Sequence, residues 1–140
     1  MITIAKLLEL APDLAAAAQS VVDEWEQDEN GLDPELGSGG CCGLMADAMG
    51  AVLAAAGAES FRIGTDFEGG HEFLVALCEE GVAEVDVPAR VYEIGSGYVW
   101  RKRQGVTITP EDVVIARVRG PMSGAAFASE YGDGWSEPSP

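Results

Sequence analysis

The sequence predicts an α+β fold, because hydrophobic residues recur at helical spacing up to Gly57 and alternate in pairs after it, with glycine at the changeover. Ile4, Leu7, Leu8 and Ala11 mark a first helix behind a Thr3 cap, and Pro12 fits the first turn of a second. Leu14, Ala17, Ala18, Val21, Val22 and Trp25 give that second helix one apolar face. Asp28 to Gly40 is polar, contains glycine and Pro34, and reads as a loop. A third helix runs from Cys42 to Ala56, with Met45, Met49, Val52, Leu53 and Ala56 inward and burial expected on most sides. Gly57 suits its C′ position. Strands are expected at Ser60–Ile63, Glu72–Cys78, Val82–Val87, Tyr98–Lys102 and Asp112–Arg119, forming an antiparallel sheet. Gly95-Ser96-Gly97 reads as a turn and Thr109-Pro110-Glu111-Asp112 as a loop entering the last strand. Residues 1–120 are expected to form a single domain, and 121–140, rich in Gly, Ser and Pro, a partly flexible tail with isolated Phe127, Tyr131 and Trp135.

The chain has 140 residues and a formal charge of −16, with −10 carried by residues 1–61 and −6 by the remainder. Nucleic-acid binding needs a basic footprint, and Arg101-Lys102-Arg103 with Arg117 and Arg119 sits in an acidic whole. Neither a run of about 20 apolar residues nor a secretory signal is present, so no membrane association and a cytoplasmic location are expected. Three cysteines, two adjacent, read as free thiols. A metal site from Cys41, Cys42, His71 and Cys78 is disfavoured, because there is no C-x-x-C pair and no second histidine. Gly37–Gly43 has no Gly-Lys-Ser/Thr after it and is not a phosphate loop. No metal or other cofactor is expected.

The chemistry concentrates on three residues. Cys42 follows the loop Gly37-Ser38-Gly39-Gly40 at the mouth of the third helix, where unpaired N–H groups and the helix dipole favour thiolate. The dipole is worth about 1 to 2 kcal/mol, too little to ionise a thiol with a pKa near 8.5, so a cationic histidine must add to it. The sole histidine, His71, opens a strand. An imidazole in that role needs a carboxylate on its other nitrogen, and Asp86, flanked by Val85 and Val87, is the candidate, with Arg90 as its competing partner.

These residues resemble the transglutaminase-like branch of the papain-like cysteine hydrolase superfamily. The resemblance rests on Cys42, Ala46, Leu53 and Gly57 on the helix, His71-Glu72-Phe73 on the next strand and Val85-Asp86-Val87-Pro88 after it. It spans Gly39 to Pro88, about a third of the chain. Departures are Phe73 where the family prefers Trp, Gly43 and Leu44 where a polar residue is common, and no Gln between residues 31 and 41 to donate to an oxyanion. Gln27 or Asn30 would serve only if the loop folds back; the backbone N–H of Cys42 is the surer donor. Cys41 is a rival nucleophile whose spacing to Ala46 and Gly57 fits less well. The resemblance implies a helix beginning at the nucleophile and packed on an antiparallel sheet. It also implies Cys42 as nucleophile, His71 as general base and acid, and Asp86 as the group orienting it.

The expected function is a thiol-dependent hydrolase or acyl transferase acting on amide bonds of a peptide or protein substrate. Peptide or isopeptide hydrolysis ranks first, then deamidation, then transamidation. The alternative is a non-catalytic acidic module on the same fold, binding a basic partner or mimicking DNA. Strand arithmetic limits the triad. A hairpin that sets His71 directly opposite Asp86 needs paired residue numbers summing to 157, whereas a turn at Glu80-Gly81 gives 161 and leaves the carboxylate about 13 Å along the strand. A four-residue turn over Leu77 to Glu80, with positive φ at Gly81, satisfies the first.

Overall fold

The computed structural model describes residues 1–27, 41–64, 71–96, 99–131 and 135–136. Asp28–Gly40, which includes Asn30 and the Gly37–Gly40 loop, lies outside them, as do Gly97 and Tyr98. The observed fold is α+β. Helices α1 (Ile4–Glu9), α2 (Ala11–Gln27) and α3 (Cys42–Ala55) precede the strands. The Thr3 side chain accepts a hydrogen bond from the Lys6 N–H and so starts α1, and Pro12 sits in the first turn of α2.

Strands β1 (Ser60–Gly64), β2 (Glu72–Cys78), β3 (Gly81–Asp86) and β6 (Val114–Arg119) form one antiparallel sheet in the order β6-β3-β2-β1. A two-residue strand β7 (Trp135–Ser136) extends it beyond β1. Strands β4 (Glu93–Ser96) and β5 (Val99–Lys102) pair separately as a hairpin, so Tyr98–Lys102 does not join the main sheet as the sequence reading implied. Gly95 and Ser96 belong to β4, so two residues of the expected Gly95-Ser96-Gly97 turn are strand instead. Thr109–Asp112 makes a capped single turn, in which the Asp112 carboxylate accepts from the Thr109 N–H at 2.8 Å, and β6 begins two residues later than expected.

The sheet has two covered faces, which is why its central strands are almost continuously apolar. On one face Leu74, Ala76, Ala83 and Val85 pack against Leu14, Ala18, Val22 and Trp25 of α2 and Met45, Met49 and Leu53 of α3. On the other, Phe61, Val75, Leu77 and Val82 surround Phe127 of helix α4 (Gly124–Tyr131). The Phe127 ring stacks on Phe61 with centroids 4.8 Å apart, tying residues 124–131 to the sheet. Helix α3 buries only one face: Ala51, Ala54, Ala55 and Ala56 are exposed, so the expected burial on most sides does not hold. Alanine persists there because it favours helix without needing a partner surface. Gly57, at φ 79°, ends the helix with the Ala58 N–H donating to Leu53 O and the Gly57 N–H to Ala54 O, a Schellman cap.

Truncating Phe127 leaves a hole between Phe61 and Leu77 at the centre of that face's cluster. Phe127→Ala is expected to lose about 3–5 kcal/mol in urea unfolding; a loss below about 1 kcal/mol would mean that α4 contributes nothing to the fold.

Candidate functional site

Three elements deliver the site to one end of the sheet. Cys42 is the first residue of α3, His71 immediately precedes β2, and Asp86 ends β3. The β2–β3 ladder sets Cys78 opposite Gly81 and Leu74 opposite Val85, so paired numbers sum to 159. Neither of the two registers weighed from sequence is adopted. The turn is the two residues Glu79-Glu80, and Gly81, at φ 152°, follows it as a paired strand residue. A Cβ at Gly81 would collide with the Arg119 carbonyl, so glycine is required there.

This register extended by one pair puts Phe73 opposite Asp86, leaving His71 on the diagonal and on the same face. Diagonal neighbours lie within reach of a long side chain. The His71 Nε2 is accordingly 2.9 Å from Asp86 Oδ2 and 3.1 Å from Oδ1. Arg90 forms no ion pair with Asp86 among the described residues. The Cys42 thiol is within hydrogen-bonding reach of the ring, and with Nε2 held by the carboxylate, Nδ1 is the nitrogen left for sulfur.

The pair is sheltered but open on one side, with side-chain exposures of 28% for His71 and 11% for Asp86. The hydrogen bond to Asp86, and then that to Cys42, outweigh burial and push the His71 pKa up to about 10. The ring is therefore an imidazolium at neutral pH. Cys41 is a core residue, whose thiol is pushed up to about 12 by burial, then by its neighbour Cys42 and by Glu93. Cys42 is only partly buried. The helix start thus sorts two adjacent cysteines, one into the core and one to a partly buried position beside His71.

Several surrounding groups carried no signal strong enough to find from sequence. Glu72, next to His71, alternates to the α3 side of the sheet, and a Cβ on Gly43 would overlap its carboxylate. Arg62 holds Glu72 in place, with Nε 3.3 Å from Glu72 Oε1 and Nη1 2.9 Å from Asp47 Oδ1. Tyr92 is fully buried edge-on to Trp25, and its hydroxyl has no hydrogen-bond partner among the described residues. Burial raises the pKa values of Glu93 and Glu84, and His71 opposes both shifts. Gln27 ends α2 exposed at the surface. Among the described residues no group of three or more His, Cys, Asp or Glu side chains is placed to hold a metal ion, and no helix is long and apolar enough to cross a membrane.

No family model, curated protein or solved structure matches this chain.

The His71–Asp86 contact has a definite pH signature. A histidine whose pKa rises on folding contributes stability that is complete below its unfolded value near 6.5 and is lost as pH climbs through about 10. Urea unfolding of the wild type and Asp86→Asn should therefore differ most near pH 6 and converge toward pH 10.5. A difference that is constant over that range would mean that Asp86 does not hold the imidazolium.

Proposed function

We propose that the protein is a thiol-dependent hydrolase or acyl transferase acting on amide bonds, with Cys42, His71 and Asp86 as its catalytic set, in the manner of the transglutaminase-like branch of the papain-like cysteine hydrolases. One observation carries this reading: a single imidazole engages both a carboxylate 2.9 Å from its Nε2 and a partly buried cysteine at a helix start. A buried structural histidine has no need of both partners. A structural cysteine at this position would be expected in the core, where Cys41 is.

The chemistry follows from those positions. Cys42 Sγ, as thiolate, attacks the amide carbonyl carbon, and the oxygen takes up the electron pair. The backbone N–H of Cys42, which has no acceptor within its own helix, is suited to that oxyanion. Collapse breaks the C–N bond, and the imidazolium gives its proton to the departing amine. The resulting thioester is opened by water, whose proton returns to the ring, releasing an acid and restoring the thiolate; an amine in place of water gives transamidation. Asp86 keeps the ring oriented and its charge balanced throughout. Among these outcomes peptide or isopeptide hydrolysis is preferred, ahead of deamidation and transamidation.

The competing reading, an acidic interaction module, is favoured only by the charge of −16, which solubility also explains. Alkylation by iodoacetamide at pH 6 separates the two. Cys42 should react well ahead of Cys41 and Cys78, and His71→Ala should slow it by about tenfold or more, because the cationic partner that activates the thiol is gone. Equal slow labelling of all three thiols would defeat the catalytic proposal.

A further inference from the structure

Beside His71, on the sheet face turned away from α3, lies a hollow of about 200 Å³ lined by Ile63, Phe73, Val75, Val82 and Phe127, with Glu84 as its single charged residue. The Phe73 ring that forms one wall lies nearly parallel to the His71 ring, 21° apart in plane and 6.1 Å between centroids. Phe73 is thus shared, forming a wall of the hollow on one side and stacking beside the His71 ring on the other. We propose that it is a specificity subsite for the side chain of a lysine or arginine in the substrate, with the aliphatic stem on the apolar walls and the cation on the Glu84 carboxylate. The proposal rests on the thiol-hydrolase reading and names the substrate class of that same site.

Three features favour a cation over a neutral apolar group. Glu84 is partly buried and makes no ion pair among the described residues; burial and Asp86 disfavour its ionised form, His71 offsets this only in part, and a positive charge brought onto the carboxylate would offset the rest. Covering it with a neutral side chain would remove water from the carboxylate and return nothing, whereas a long basic side chain matches both parts of the hollow, apolar along its stem and charged at its tip. The other nearby charges do not supply that cation. His71 is engaged by Asp86, and Arg119, on the neighbouring strand, is ion-paired with Glu130. The net charge of −16 further draws a basic segment toward the cleft.

Active-site alkylators test this without knowledge of the natural substrate. The full-length protein is treated with lysine chloromethyl ketone and with norleucine chloromethyl ketone, which keeps the stem and lacks the ammonium, and the rate of Cys42 modification is read by mass spectrometry. The lysine probe should react at least about tenfold faster, the advantage of one partly buried charge pair. That ratio, which cancels any change in thiol reactivity within one protein, should fall close to one in Glu84→Gln, and in the wild type it should shrink as salt is raised. A wild-type ratio near one, or a ratio that survives both Glu84→Gln and high salt, overturns the subsite. If iodoacetamide shows no preference for Cys42 in the wild type, the hydrolase reading itself fails and the subsite falls with it, an outcome distinct from loss of lysine preference alone.

Discussion

The register between β2 and β3 is the constraint on which the site depends. With Cys78 opposite Gly81, the ends of the two strands bring His71 and Asp86 to adjacent positions on one face, and Nε2 meets the carboxylate at 2.9 Å. A slip of one residue would turn one of the pair to the opposite face. The register is held from several sides. Gly81 admits the close approach of the Arg119 carbonyl, while Leu74 and Val85 fill the helix side and Val75 and Val82 the other. The apolar core thus fixes a polar contact at its edge.

Electrostatics at this edge are organised around one imidazole. Asp86 holds Nε2, Cys42 lies within reach of the ring, and His71 in turn moderates the rise in pKa that burial imposes on Glu84 and Glu93. Glu72 is kept apart from this set by Arg62, which binds it together with Asp47 on the helix side of the sheet. Two layers of charge therefore meet near the start of α3, one neutralised by an arginine and the other by a histidine. The histidine is the member whose charge the Asp86 contact holds in place up to about pH 10.

Much of this was legible from residue pattern. The change of hydrophobic period at Gly57 gave the α+β class, the i, i+4 spacing of Leu14, Ala18 and Val22 gave the buried face of α2, and β2 falls at Glu72–Cys78 as alternation and apolar content implied. Cys42 was preferred to Cys41 on its spacing to Ala46 and Gly57, and the structure buries Cys41 in the core while leaving Cys42 partly buried. What could not be read was anything set by pairing across space. Turn chemistry around Glu79-Glu80-Gly81 allows several registers, and the one adopted depends on how β6 packs against Gly81. The same holds for Glu93–Ser96, whose strand exists only because β5 lies beside it, and for α4, whose sequence Gly-Ala-Ala-Phe has little helical pattern until Phe127 finds Phe61. The setting of Gly43 is equally non-local, since only the folded structure brings the Glu72 carboxylate over it.

Because His71 is the sole histidine, its ring protons give one unambiguous NMR signal. A pH titration of that signal tests the His71–Asp86 contact directly. The structure predicts a midpoint near 10 in the wild type, falling toward the ordinary histidine value in Asp86→Asn. A wild-type midpoint near 6.5, unmoved by that substitution, would contradict the convergence of these side chains and with it the assignment of the site.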